Sequence, residues 1–217
     1  MLYRSDASRK QISYFRHVRE RVRYNPLPRI FIDGLDKLGI KIHLIYLIRE
    51  GITEGVARPR EDGLEGCEVG FLGAEDMTEI AQIPYRPVRY EKLQSRLKDG
   101  NLCLGAKSEG CLVCFTWCNL IRCQSEGYSF LLNDDEAYLF DAYTAFDLRG
   151  QGLAPALRYR LYEELARMGR TKLYSISERF NAPALRFKLK LGAEILKSNW
   201  NITLFRKWYF GPRGQRP

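Results

Sequence analysis

Between Tyr138 and Leu157 the chain reads YLFDAYTAFDLRGQGLAPAL, an apolar strand that runs through a tight turn into a helix. Two glycines and an alanine in Arg149-Gly150-Gln151-Gly152-Leu153-Ala154 let backbone close on a ligand with no Cβ in the way. The helix start that follows offers unpaired N–H groups and a partial positive charge, which suit phosphate oxygens. Pro155 is tolerated in that first turn, where an N–H has no intrahelical partner. The segment reads as a pyrophosphate cradle, with a purely structural turn as the plainer alternative. Two other nucleotide patterns do not fit. No Lys follows the last small residue, as G-x-x-x-x-G-K-[ST] requires. In G-x-G-x-x-G the third glycine would fall at Pro155, and no early βαβ unit surrounds the turn.

Hydrophobic periodicity organises the rest. Ile12, Phe15, Val18 and Val22 among many cations predict an amphipathic helix over 8–24, broken by Asn25-Pro26-Leu27-Pro28. Residues 41–49, rich in Ile, Leu and Tyr, predict a strand closed by Gly51, and the polar stretch 55–66 a connector. From Cys67 strands and helices alternate. Strands are expected at 67–72, 102–107, 112–121, 136–146 and 172–176, with one or two more in 193–210. Helices are expected at 74–83, where Glu75 and Asp76 suit the dipole, and at 90–98, 155–168 and 181–191. Glu109-Gly110 reads as a hairpin turn. Helices between strands of one sheet imply an α/β (α+β) fold, a mixed central β-sheet flanked by helices.

The formal charge is +9, and it is uneven. Cations crowd residues 1–30 against only Asp6 and Glu20, and the end of the chain adds Arg206, Lys207, Arg213 and Arg216 with no acid. Such a surface attracts nucleic acid, an anionic surface or a phosphorylated ligand, and also simply aids solubility. No apolar run reaches the roughly 18 residues of a spanning helix, so no transmembrane segment is expected. The opening MLYRSDASRK has no export-type apolar segment, and a cytoplasmic location is expected. Six cysteines are then read as free thiols. Four lie in CLVCFTWCNLIRC, whose apolar spacers suit a buried strand better than the polar turns of a structural zinc site. Alternation puts Cys114 and Cys118 on one face, Cys111 and Cys123 on the other. With His17 and His43 remote from that cluster and from each other, no metal is expected.

Arg149-x-x-Gly152 followed by a small residue fits R-x-x-G-x-[GA], and here the chain resembles the GCN5-related N-acetyltransferases, the GNAT superfamily. A second segment, Asn181-Ala-Pro-Ala-Leu-Arg-Phe-Lys188-Leu-Lys-Leu-Gly192, is similar to that family's Asn-led helix ending in Leu-Gly. The resemblance covers roughly 66–205. It implies an acetyltransferase domain at 66–210, a basic N-terminal extension at 1–65 (a helix plus an added strand), and a basic tail at 211–217. It also implies acetyl-CoA as cosubstrate, lying where the strand before the turn splays from its parallel neighbour. Ala142, Tyr143 and Thr144 would pair with the pantetheine arm. Backbone N–H groups of Gln151, Gly152, Leu153 and Ala154 would take the pyrophosphate. Arg149 and Gly150 would shape the turn, and Asn181 would hold the cofactor arm or the splayed strand.

The same resemblance implies a catalytic acid on that strand. Asp141 is the first candidate, as base or amine anchor. Glu136, which shares the parity of Phe140, is the second, acting through water. The family's usual Tyr stands at Lys188 in this chain, a residue expected on a solvated helix face or against a CoA phosphate. The expected function is acetyl transfer from acetyl-CoA to a small-molecule or peptide amine by direct transfer in a ternary complex. The alternative is a catalytically silent GNAT scaffold that binds nucleic acid or an anionic surface through 1–30. For the extension, covering the acceptor pocket, forming a homodimer and docking a partner all stay open.

Overall fold

Strand alternation resolves into one eight-stranded mixed sheet and a small separate hairpin. The computed structural model describes residues 34–59, 61–84, 86, 88–125, 128–205 and 207–211. The helix expected at 8–24, the basic stretch 1–30 and residues 212–217 lie outside the described residues. The strands are β1 (Ile40–Glu50), β2 (Cys67–Phe71), β3 (Leu102–Ser108), β4 (Cys111–Asn119), β5 (Arg122–Ser125), β6 (Tyr128–Leu131), β7 (Glu136–Thr144), β8 (Lys172–Glu178), β9 (Glu194–Leu204) and β10 (Trp208–Phe210). The helices are α1 (Met77–Ala81), α2 (Tyr90–Lys98), α3 (Leu153–Arg167) and α4 (Ala182–Lys190). The sheet order is β10-β9-β1-β8-β7-β4-β3-β2, with β7 and β8 the parallel pair and the other neighbours antiparallel.

Local chemistry explains most of the boundaries. Glu109 and Gly110 both take left-handed φ, 50° and 77°, which turns β3 into β4 as the hairpin signal implies. Helix α1 is shorter than the expected 74–83. Asp76 accepts the Gly73 N–H at 2.8 Å and pairs with Lys107, so its neighbourhood forms a turn and not a first helical turn. The β5–β6 hairpin carries no periodic pattern long enough to foresee. It is held by Cys123 and Phe130, the latter edge-on to Tyr174 at 5.8 Å.

The sheet is covered on both faces. On one, Leu157, Leu161 and Leu165 of α3 pack on Cys114, Cys118, Leu139 and Leu173. On the other, Met77, Ile80 and Leu93 of α1 and α2 cover Cys103, Phe115 and Trp117. All six cysteines are free thiols, and Cys114 and Cys118 share a face as alternation requires.

Strand β1, expected as an addition, lies inside the sheet between β8 and β9. Ile45, Leu47 and Ile48 are buried there, each contributing about 1.5–3 kcal/mol if fully removed from water. Its last residue, Glu50, is buried as well and organises a polar cluster under the α3 face. Tyr162 of α3 donates to Glu50 Oε2 at 2.5 Å, and Arg158 Nε lies 3.2 Å from the same oxygen. Lys188 Nζ of α4 lies 3.3 Å from Oε1 and donates to Ser175 and Ser177 of β8 at 2.7 and 2.8 Å. Arg158 also donates to Thr116 of β4 at 2.9 Å. Burial pushes the Glu50 carboxyl up, but Arg158 and Lys188 with the Ser175 and Tyr162 hydroxyls outweigh it and bring its pKa from 4.5 to about 2.

Removing that charge strands two buried cations. Glu50→Gln is expected to cost about 3–5 kcal/mol, read as a lower urea midpoint. Because the folded pKa lies below the unfolded one, the contribution is complete above pH 4.5 and disappears as pH falls towards 2. A urea series from pH 6 to 3 should therefore narrow the gap between wild type and Glu50→Gln by more than half at the acid end.

Candidate active site

Strands β7 and β8 pair for only four rungs, Glu136 with Lys172 through Leu139 with Ser175. Beyond Leu139, β7 leans on β4 alone, while β8 beyond Ser175 stays with β1. The sheet thus divides into two halves with an opening between them. A bulge widens the effect: Trp117 pairs with Phe140 and Phe115 with Tyr143, leaving Asp141 and Ala142 without a partner in either register. Asp141 takes φ 49°, rare for a side-chain-bearing residue. The opening holds an open-mouthed cavity, about 200 Å³ with its mouth included, lined among others by Thr116, Ala142, Tyr143, Ala154, Arg158 and Phe187.

The glycine turn borders this opening. Gly150 and Gly152 adopt left-handed φ of 83° and 87°, and Gly152 caps the 15-residue helix α3. The first bond of that helix runs from Ala156 N–H to the Gly152 carbonyl, so the N–H groups of Leu153 and Ala154 precede the ladder. Arg149 folds back, donating to the Thr144 carbonyl at 3.3 Å and lying over the Phe146 ring, and Gln151 donates to the Asp147 carbonyl at 3.2 Å. A Cβ on Gly150 would meet nothing within 4 Å, so the outer side of the turn is open. Its inner side is not. A Cβ on Gly63, in the 3₁₀ turn Glu61–Leu64, would lie 2.8 Å from the Gly152 carbonyl carbon. An open turn leading into a helix start is a shape that fits a pyrophosphate.

Ala142, Tyr143 and Ala154 line one cavity, with Thr144 and the rest of the 149–154 turn adjoining them along the chain, while the two carboxylates lie apart. Asp141 sits beside the opening on the α1–α2 face, bridged by Arg86 through Oδ1 and by Arg96 through Oδ2. Burial alone would raise its pKa. The two guanidinium groups outweigh burial and hold the carboxyl below its ordinary range. Glu136 lies on the first rung, at the closed end of β7. It accepts from the Asn133 N–H at 2.8 Å and from Tyr174 OH at 3.3 Å. At about 3.3 Å per residue, some 16 Å of strand separate it from Asp141. Asn181 caps α4, its Oδ1 accepting the Ala184 N–H at 3.3 Å.

Lys188 is neither solvated nor at the phosphate turn. It is 4% exposed and bound to Glu50, Ser175 and Ser177. Burial lowers its pKa, Glu50 raises it, and Arg158 lowers it again, giving about 8. Local sequence carries no sign of this, because the carboxylate that receives Lys188 comes from β1, remote in sequence. Arg158 was legible in principle: it lies at i, i+3, i+4 and i+7 with Leu161, Tyr162 and Leu165 on the buried stripe of α3. Arg86 and Arg96 carry no such signal. Among the described residues no group of three or more His, Cys, Asp and Glu side chains is arranged to hold a metal, and no helix is long and apolar enough to cross a membrane.

Comparison with known proteins places this geometry. No curated protein matches the sequence. Among solved structures, a tandem GNAT protein from the clavulanic acid biosynthesis pathway aligns with TM-score 0.57 at 16% identity, over 89% of this chain and 60% of that one. A GNAT-family acetyltransferase from Colwellia psychrerythraea aligns at 0.56 and 16%, over 76% and 57%. A putative GNAT acetyltransferase from Novosphingobium aromaticivorans aligns at 0.53 and 18%, over 76% and 66%. The chain spans 57–66% of the length of these three, and at such identity they establish the fold. The sequence model of the acetyltransferase (GNAT) family matches residues 73–193. That is more than half of the 217 residues, and the chain belongs to the acetyltransferase (GNAT) family.

Proposed function

We propose that this protein moves an acetyl group from acetyl-CoA directly to a primary amine while both substrates are bound. The observation that carries this reading is the parting of β7 and β8 after Leu139 and Ser175, with an amide-rich glycine turn beside it. In this reading the backbone of Ala142, Tyr143 and Thr144 pairs with the pantetheine arm. The N–H groups of Gln151, Gly152, Leu153 and Ala154 take the pyrophosphate, and Arg149 and Gly150 fix the turn. Asn181 supports that arrangement by starting α4. The backbone amides of the bulge at Asp141 and Ala142 would be the donors for a developing oxyanion. Both Asp141 oxygens are bound by arginines and Glu136 is engaged at the closed end, so the amine gives up its proton to water.

The leaving thiolate meets a positive floor. Arg158 lines the cavity, and below pH 8 Arg158 and Lys188 carry two charges against the single one of Glu50. An unbalanced buried cation favours the negative charge that forms on sulfur. Lys188 is protonated below about pH 8 and loses the charge above it, so kcat should fall as pH rises through that value. Lys188→Met keeps Glu50 paired one-to-one with Arg158. We expect it to lower kcat about tenfold, roughly the effect of 1.4 kcal/mol on a barrier, to leave acetyl-CoA affinity intact and to lack that alkaline limb. Release of free CoA against pH checks all three.

Acetyl-CoA should raise the melting temperature by mass action, and ATP and NADH should not. Gly63→Ala must push the turn at Gly152, so calorimetry should find acetyl-CoA binding weakened about tenfold, or by about 1.4 kcal/mol. Gly70→Ala, where a Cβ meets nothing within 4 Å, is the matched control and should bind normally. No melting shift at millimolar acetyl-CoA would defeat the reading.

A further inference from the structure

The charge balance around Asp141 restricts the acceptor. Arg86, from the segment between α1 and α2, and Arg96, from α2, share one carboxylate, so this group carries a net charge of +1. The three side chains are 14%, 18% and 23% exposed, so water screens the excess only in part. Aromatic faces fix both guanidinium groups: Arg86 lies 4.6 Å over Phe115, and Arg96 lies 5.3 Å from Trp117 and 5.2 Å from Phe140. One donor is left over. Arg86 Nη1 is buried with no hydrogen-bond partner, a costly condition until something accepts from it.

The group does not itself line the cavity but lies one residue behind it, across the Phe115 ring. Phe115, under Arg86, lines the cavity together with Ala142 and Tyr143, and Tyr143 stacks on Phe115 at 5.5 Å. Helices α3 and α4 close the opposite face, where the glycine turn begins α3. An amine therefore approaches from the face that carries Arg86 and Arg96. A second cation on that amine would be repelled there, and a single negative charge would balance the group. The planar guanidinium fork matches a carboxylate.

We infer that the acceptor is a primary amine that also carries a carboxylate, held by the Arg86–Asp141–Arg96 group while its amine faces the opening. The inference rests on the acetyl-transfer reading and specifies its substrate class. Arg86 supplies the free donor, and Asp141 orients both arginines and does not take the proton.

The test uses the full chain, acetyl-CoA and a panel of amino acids, each paired with the amine left by its decarboxylation, scored by CoA release. The carboxylate member of the preferred pair should show a kcat/KM about 10- to 100-fold higher, the value of a hydrogen bond to a charged group. Arg86→Gln should shrink that ratio towards one through KM for the acid. Asp141→Asn, which raises the net charge to +2, should preserve or increase the preference. Preference for the decarboxylated amine, a ratio that Arg86→Gln leaves unchanged, or a chain that binds acetyl-CoA but acetylates no acid of the panel would each overturn the inference. Absence of acetyl-CoA binding would instead remove the acetyl-transfer reading beneath it.

Discussion

One carboxylate, Glu50, ties together the three pieces on which the opening depends. It comes from β1 and receives Tyr162 and Arg158 from the helix that starts at the glycine turn, and Lys188 from the helix capped by Asn181. A buried ion cluster of this kind adds little net stability against a well-packed apolar one, but it is costly to break piecemeal. Its geometric consequence is larger. With α3 and α4 both fastened to the strand beside β8, the outer end of β8 is held to β1 while β7 stays with β4. The opening between them is therefore built into the sheet and does not wait for a ligand to wedge it apart.

The two faces of that opening carry the same electrical sign by different means. Under the α3 face, Arg158 and Lys188 outnumber Glu50; on the other face, Arg86 and Arg96 outnumber Asp141. Both excesses are partly or wholly shielded from water, where a charge acts at longer range than on the surface. The first lies beside the cavity and the second on the α1–α2 face, behind Phe115. On the second face the carboxylate of Asp141 is already taken through both oxygens by Arg86 and Arg96.

The sequence revealed what depends on local chemistry. Gly150, Gly152 and Pro155 announce a turn into a helix, Glu109-Gly110 a hairpin, and Asn181 a helix start, because each acts on its own backbone. The alternation around Cys114 and Cys118 likewise puts both on one side of β4, the side that α3 covers. What stayed hidden depends on partners far along the chain. Lys188 looks like a surface lysine until β1 is known to deliver Glu50, and Asp141 looks like a base until Arg86 and Arg96 fold over it. Even the place of β1 was illegible: an isolated Ile- and Leu-rich strand says that it is buried, but not between which neighbours.

That position has a consequence for how the molecule comes together. Leu47 pairs with Ile176 on one side and with Lys197 on the other, so an early strand must wait for almost the last ones. Pairings so distant along the chain pay their loop entropy before any reward, which slows assembly. Until β8 and β9 emerge, Ile45, Leu47 and Ile48 have no shelter. Assembly of β1 into the sheet is therefore among the last steps of folding.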